Sequence, residues 1–290
     1  MKEIINKKLL KNIFFQKRIL LNSIFQIFNF VCVVTFFCIF CALFYSLISH
    51  GVHSFNLNLF IQNPPPPGMD GGGLKNAIVG SLIMVLLGII IAFPFALLSA
   101  TYLADKTKKS KLKHVIRTAN DVILGAPSIL MGLFIYLVFV KTMGNYSGWA
   151  GAVALALIAY PIMTKTTEDI LNLSSKELKE SAFALGIPTW KVTTCLLWKQ
   201  ARPGIITGVF LAMARILGET APLLFTSLNN SYFSLNLSKP MASLPVTIYQ
   251  FAMSPYENWQ NLAWAAALFI TIFSILINIF FRTIFRNRKK

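Results

Sequence analysis

The 27 lysine and arginine residues of this chain are bunched rather than scattered. Segments 2–18, 106–117, 165–202 and 282–290 hold six, six, six and five of them, and the runs in between are almost free of charge. Those runs approach or exceed the roughly 20 apolar residues that a helix needs to cross the hydrocarbon layer of a bilayer. Of the 290 residues 56% are hydrophobic and 13% charged, about half the ~25% charge of a soluble domain. So many apolar side chains exceed what a soluble core can hide. The sequence therefore predicts an all-α integral membrane protein with six transmembrane helices.

The predicted spans are 24–49, 76–103, 122–140, 149–164, 204–227 and 261–281. Basic residues are retained on the cytoplasmic side of a membrane, which places both termini in the cytoplasm: a basic tail at 1–23, an inner loop between the second and third spans, another at 165–202, and a basic tail at 284–290. The outer loops hold only Lys75, Lys141 and Lys239. The net charge of +17 thus reads as topology and excludes a nucleic-acid partner. The first apolar run is too long for a signal-peptide core and reads as a retained span. It is followed by an outer stretch, 50–75, whose four prolines and three consecutive glycines predict a stiff linker with a hinge. Gly80, Gly88, Gly125, Gly132, Gly151 and Gly208 inside the spans suit close helix packing.

Two charges stand inside an otherwise apolar run. Arg215 and Glu219 lie in GIITGVFLAMARILGETAPLLFTS, residues 204–227. A charge at membrane depth costs roughly 2.5–3.5 kcal/mol or more, so it persists when paired or facing a polar cavity. The spacing of four predicts one helix face. Two readings stand: a closed ion pair that locks helices together, or the lining of a polar pathway to which Thr220 adds a hydroxyl. For an anion, arginine is the suited cation, because its guanidinium fork matches oxyanion geometry and stays charged.

The inner segment 165–202 has its own pattern. SSKELKESAFALG (174–186) offers Ser174 or Ser175 as a helix cap, then Glu177 and Glu180, with Leu178, Ala182 and Leu185 as an apolar stripe. Gly186 stops this helix and Pro188 starts another, PTWKVTTCLLW. Such a helix–turn–helix at a membrane surface needs a partner for its apolar side: lipid or another protein.

No GxxxxGK[ST], HExxH or GxSxG pattern occurs, and the four cysteines form no CxxC. No catalytic residue, no metal site and no cofactor bound by this chain is expected.

Glu180-Ser181-Ala182, three residues, then Gly186 resembles the EAA loop of permease subunits of ATP-binding-cassette importers. The chain departs from that loop at Ser181 and at Leu196-Leu197-Trp198-Lys199, where many members have an apolar residue followed by Leu-Pro. GGGLKNAIVGSL (71–82), GAPSILMGLF (125–134), ARILGETAPLLFT (214–226) and SLPVTIYQFAMSP (243–255), followed by AWAAAL, narrow the match. Together they resemble the phosphate-importer permeases, in order, over some three-quarters of the chain. The resemblance implies a type-I (MetI-like) permease domain at 76–283, a core of five helices plus a peripheral N-terminal one, in a bacterial inner membrane. It implies a sister permease (PstC-like), a cytoplasmic ATPase dimer (PstB-like) that uses ATP and Mg, and a periplasmic or surface phosphate-binding protein (PstS-like), with inorganic phosphate as cargo. Glu180, Ala182 and Gly186 would couple to the ATPase. Alternatives left open are a permease for another oxyanion (molybdate, sulfate, phosphonate) and an ATP-independent transporter.

Overall fold

A computed structural model describes residues 2–105, 110–173 and 176–286, the side chains of 2–14, 16, 176–179, 281, 282 and 284–286 excepted. The proposed caps Ser174 and Ser175, the side chains of Glu177 and Leu178, Lys106, Lys108, Lys109 and the basic end 287–290 lie outside the described residues. All regular structure among the described residues is helical. Among the described residues four helices are long and apolar enough to cross a membrane, or five if one bent pair counts as a single span.

The chain divides into two compact units, Met1–His50 and Gly51–Lys290. The first lies within one helix, α1 (Lys2–His53), 52 residues long, whose last three residues belong to the second unit. Its apolar side chains, among them Phe25, Phe30, Val33, Phe36 and Ile39, are exposed on all sides, as suits a helix solvated by lipid.

The second unit holds the remaining helices. A short α2 (Asn58–Ile61) precedes α3 (Lys75–Ala104). The proline–glycine stretch between them is strapped down rather than hinged. Trp259 Nε1 donates to the Pro65 carbonyl at 3.2 Å, and Asn258 Nδ2 donates to the Met69 carbonyl at 2.7 Å. Gly71 and Gly72 take φ of +84° and +81°, a fixed turn that only glycine adopts cheaply.

The expected third span is bent. α4 (Lys111–Gly125) meets α5 (Ser128–Ile135, continuing as a π-turn over Tyr136–Val140 and Lys141–Met143) at 108°. Ala126 is extended, with ψ 141°, because the residue before a proline is pushed out of the helical region; Pro127 thus ends one helix and begins the next. The expected fourth span, in contrast, passes through its proline. α6 (Gly148–Asn172) contains Pro161 and runs eight residues beyond the predicted end at 164. The ring removes one backbone donor, the one that would reach the Leu157 carbonyl, and the helix runs on across that single missing bond.

After α7 (Lys176–Ala184) the chain turns through Thr189–Lys191 and a π-turn, Val192–Leu197, into α8 (Trp198–Leu217). α9 (Ala221–Thr226), α10 (Leu244–Ala252) and α11 (Glu257–Arg286) complete the unit. The core lies where α3, α6 and α8 meet: Met84, Val85, Ala92 and Ala96 against Leu155, Ala159, Met163, Ala212 and Ile216. Small residues let the backbones approach. A Cβ at Gly88 would stand 3.2 Å from the Ala152 carbonyl oxygen, and one at Gly204 2.7 Å from Ile170. Gly208, one turn on from Gly204, faces Thr166 Oγ1, the hydroxyl that donates to the Ile162 carbonyl at 2.8 Å. Gly125 faces nothing within 4 Å, so packing does not explain it.

This contrast gives a stability prediction. Gly208→Val forces Thr166 off its carbonyl, and overpacking of this kind costs about 1–3 kcal/mol. The melting temperature of the detergent-solubilised protein should fall by several degrees. Gly125→Ala, with open space around it, should stay within about 0.5 kcal/mol of wild type.

Candidate translocation pathway and coupling surface

The expected fifth span is not one helix. α8 stops at Leu217, and Gly218 is a non-helical cap at φ −95°, ψ 2°. α9 begins after Thr220 with a proline in its first turn. The cause is Pro222: in a continuous helix its ring would strike the carbonyl of residue 218, and its nitrogen could not bond back. Arg215 therefore sits in the last turn of α8, where a cation is favoured by the carbonyl end of the helix. Glu219 lies in the break itself, so the two share a corner rather than a helix face.

The pair is asymmetric. Arg215 Nη2 is 3.1 Å from Glu219 Oε1, with the arginine side chain 62% exposed and the glutamate 8%. Oε1 is buried and receives no aligned hydrogen bond, so the contact is electrostatic more than directional. The carboxylate is sunk in the wall while the guanidinium stands open. Both partners belong to one short segment, so the pair ties no two distant helices of this chain together. Thr220 is half buried, and its carbonyl accepts from the amides of Leu223 and Leu224 at 3.1 and 3.2 Å.

The segment beyond the break is firmly held. A Cβ at Gly132 of α5 would come within 2.6 Å of Pro222 Cα, and one at Gly151 of α6 within 3.3 Å of Leu223. The Thr226 carbonyl accepts from Ser147 N, and the Ser227 carbonyl from Met241 N, both at 3.1 Å. α9 is thus wedged between α5, α6 and the 239–243 loop, leaving the Gly218–Thr220 joint as the link between this anchored piece and α8.

At the other end of the 176–217 segment, α7 closes in a glycine cap. Gly186 N donates to the Phe183 carbonyl at 2.9 Å and Ile187 N to the Ala182 carbonyl at 3.2 Å, the double bond of a Schellman cap. Gly186 takes φ +72°, and among the described residues nothing beyond its chain neighbours lies within 4 Å of a Cβ placed there. Ala182 is buried while Glu180 is exposed. The predicted stripe does not form one face: Leu185 is 79% exposed although Ala182 is 7%. Phe183, Leu185, Ile187 and Trp190 instead make an exposed apolar surface around the cap. A patch of that kind is a candidate interaction site.

Sequence reasoning missed a second ion pair. Arg117 of α4 reaches Glu168 of α6 at 2.5 Å, holding the bent helix against the far end of α6. No linear spacing signals a pair 51 residues apart. Two inner braces were equally hidden: Tyr160 Oη donates to Ser99 Oγ at 2.9 Å, and Trp198 Nε1 to Thr101 Oγ1 at 3.0 Å.

A break in an apolar segment carrying an open cation, and a glycine-capped helix with an exposed apolar surface before it, are the features to set beside known proteins. Residues 84–290 match the family described as binding-protein-dependent transport system inner membrane component. The fold agrees: the MetNI methionine ABC transporter in an inward-facing conformation aligns with TM-score 0.60 at 16% identity, over 73% of this chain and 94% of that one. An amino acid ABC transporter aligns with TM-score 0.53, also at 16% identity, over 74% and 92%. Relatives at higher identity are phosphate transport system permease proteins PstA. That of Pasteurella multocida is 46% identical over 97% of this chain and all of its own length, and that of Yersinia pestis is 48% identical over 84% and 83%. The chain belongs to the PstA family of ABC importer permeases, multi-pass membrane proteins that work with an ATPase and a binding protein.

Proposed function

We propose that this chain forms half of the translocation pathway of an ATP-driven inorganic phosphate importer. The observation that carries this reading is the open Arg215 guanidinium backed by a buried carboxylate at a break in an apolar helix. Phosphate entering a low-dielectric passage loses hydration and needs a positive partner. Arg215 supplies two parallel donors. Glu219 holds the guanidinium in place and offsets part of its charge, so that the anion leaves again, since a site that binds too well does not conduct. Thr220 stands beside them as a hydroxyl donor.

The other half of the pathway comes from a PstC-like sister permease, and a PstS-like protein delivers phosphate from outside. A PstB-like ATPase dimer, which uses ATP and Mg, docks on the cytoplasmic surface of Glu180, Ala182 and Gly186 and the apolar patch around them. Both termini face the cytoplasm, in keeping with the basic clusters. The chain itself contributes no catalytic residue, no metal ligand and no nucleotide site.

The test is uptake by the complete complex in proteoliposomes with ATP inside and the binding protein outside. Phosphate should enter at least about tenfold faster than sulfate, molybdate or a phosphonate, a gap of ~1.4 kcal/mol in barrier. Faster uptake of another oxyanion, or uptake without ATP, refutes the assignment.

A further inference from the structure

A cleft of about 750 Å³ opens between α3 and the start of α8, away from the Arg215 corner. Phe93, Leu97, Ile205 and Ile206 form its apolar floor, and Lys199 and Arg202 its rim. Trp198 also lines it, held by its bond to Thr101. The Thr194 hydroxyl is already spent on the Trp190 carbonyl at 2.9 Å. Both rim cations are exposed, no carboxylate lines the cleft, and neither cation has an ion-pair partner among the described residues.

We propose that this cleft is a binding site for one anionic glycerophospholipid of the inner leaflet. An acyl chain lies on the four apolar side chains, and the head-group phosphate sits between Lys199 and Arg202. The two cations line the same cleft three residues apart, a spacing that places them on one helix face within reach of one anion. Basic pockets between transmembrane helices on the cytoplasmic side suit such head groups. A free oxyanion would leave the apolar floor without a partner, whereas a lipid satisfies floor and rim together. The tryptophan in the lining matches the residue type favoured at the membrane–water boundary. The inference rests on the cytoplasmic orientation proposed above, and not on the identity of the transported ion.

A bound lipid here would splint α3 to α8 directly after the coupling surface. The site would thus make the transporter sensitive to the anionic lipid content of its membrane.

The experiment uses the intact complex in detergent, titrated with brominated phosphatidylglycerol while Trp198 fluorescence is read as the difference between wild type and W198F. Native mass spectrometry counts the retained lipids. Wild type should show saturable quenching and retain one phosphatidylglycerol per copy of this chain. K199Q/R202Q should need on the order of tenfold more lipid and lose that retained molecule, with an unchanged melting temperature in lipid-free detergent. I206Q, which leaves the rim intact, should also weaken quenching. The proposal is overturned if K199Q/R202Q binds as wild type does or if brominated phosphatidylcholine quenches equally well. It is also overturned if inorganic phosphate displaces the lipid, or if the ATPase subunit, not lipid, shields Cys195 in the cleft from a thiol reagent. These binding readouts stand whether or not the complex prefers phosphate.

Discussion

Arg215→Ala in the reconstituted complex is expected to lower ATP-driven phosphate uptake by about a hundredfold. Hydrogen bonds to charged groups contribute roughly 1.5–3 kcal/mol each, and a lost bidentate contact of ~3 kcal/mol corresponds to two orders of magnitude in rate. Arg215→Lys keeps the charge but not the fork, and should retain more uptake than alanine, about tenfold below wild type. Glu219→Gln removes the counter-charge while keeping the shape. It should tighten phosphate in the passage, lowering both the apparent KM and the maximal rate.

These variants separate the pathway from a merely structural pair. Removing Arg215 alone leaves Glu219, buried in the wall, without its cation. Stranding a buried charge is destabilising, though the exposed guanidinium end is screened by its surroundings and the penalty is correspondingly smaller. The double variant R215A/E219Q removes that penalty. If the pair served only structure, the double variant would recover both assembly and uptake. A pathway role predicts recovered assembly with uptake still lost, and normal uptake in either arginine-free protein refutes it.

Much of the architecture was legible in the chain because charge clustering and apolar run length act locally. The basic segments, the long α3 and α11, the glycine stop at 186 and the small-residue contacts at Gly88, Gly132, Gly151 and Gly208 needed no tertiary knowledge. The errors arose at prolines, whose effect depends on what surrounds them. Pro161 lies within a helix that gives up only the bond to the Leu157 carbonyl, and α6 continues. Pro127 follows Ala126, which leaves the helix, and Pro222 stands in the first turn of α9, four residues after the Gly218 cap, so the third expected span bends and the fifth breaks. The break changed the candidate site most. A spacing of four implied a shared helix face, whereas the two charges meet across a corner, one sunk and one open. Long-range pairs such as Arg117–Glu168 leave no mark in a single sequence, because nothing local fixes which helices adjoin.

Gly186→Val is expected to lose ATP-driven uptake while insertion into the membrane stays normal. Among the described residues nothing beyond the chain neighbours lies within 4 Å of a Cβ at the position, so the effect is conformational and not a clash. At φ +72° an ordinary L-residue costs roughly 1–2 kcal/mol, and a β-branched one is a stronger outlier. The cheapest escape is to unwind the cap and give up the Gly186–Phe183 and Ile187–Ala182 bonds. That would scatter Phe183, Leu185 and Ile187, the surface proposed to dock the ATPase. Asparagine tolerates the left-handed region better than most side chains, so Gly186→Asn should keep most of the uptake and Gly186→Ala should fall between the two. Stimulation of the partner ATPase by loaded binding protein should follow the same order, Gly, Asn, Ala, Val, because it depends on the same docked surface. An order set by side-chain volume instead, with Asn worse than Ala, would mean that residue 186 is packed in the assembled complex. Full activity in the valine variant would mean that the cap does not transmit motion, and the coupling role of α7 would have to be abandoned.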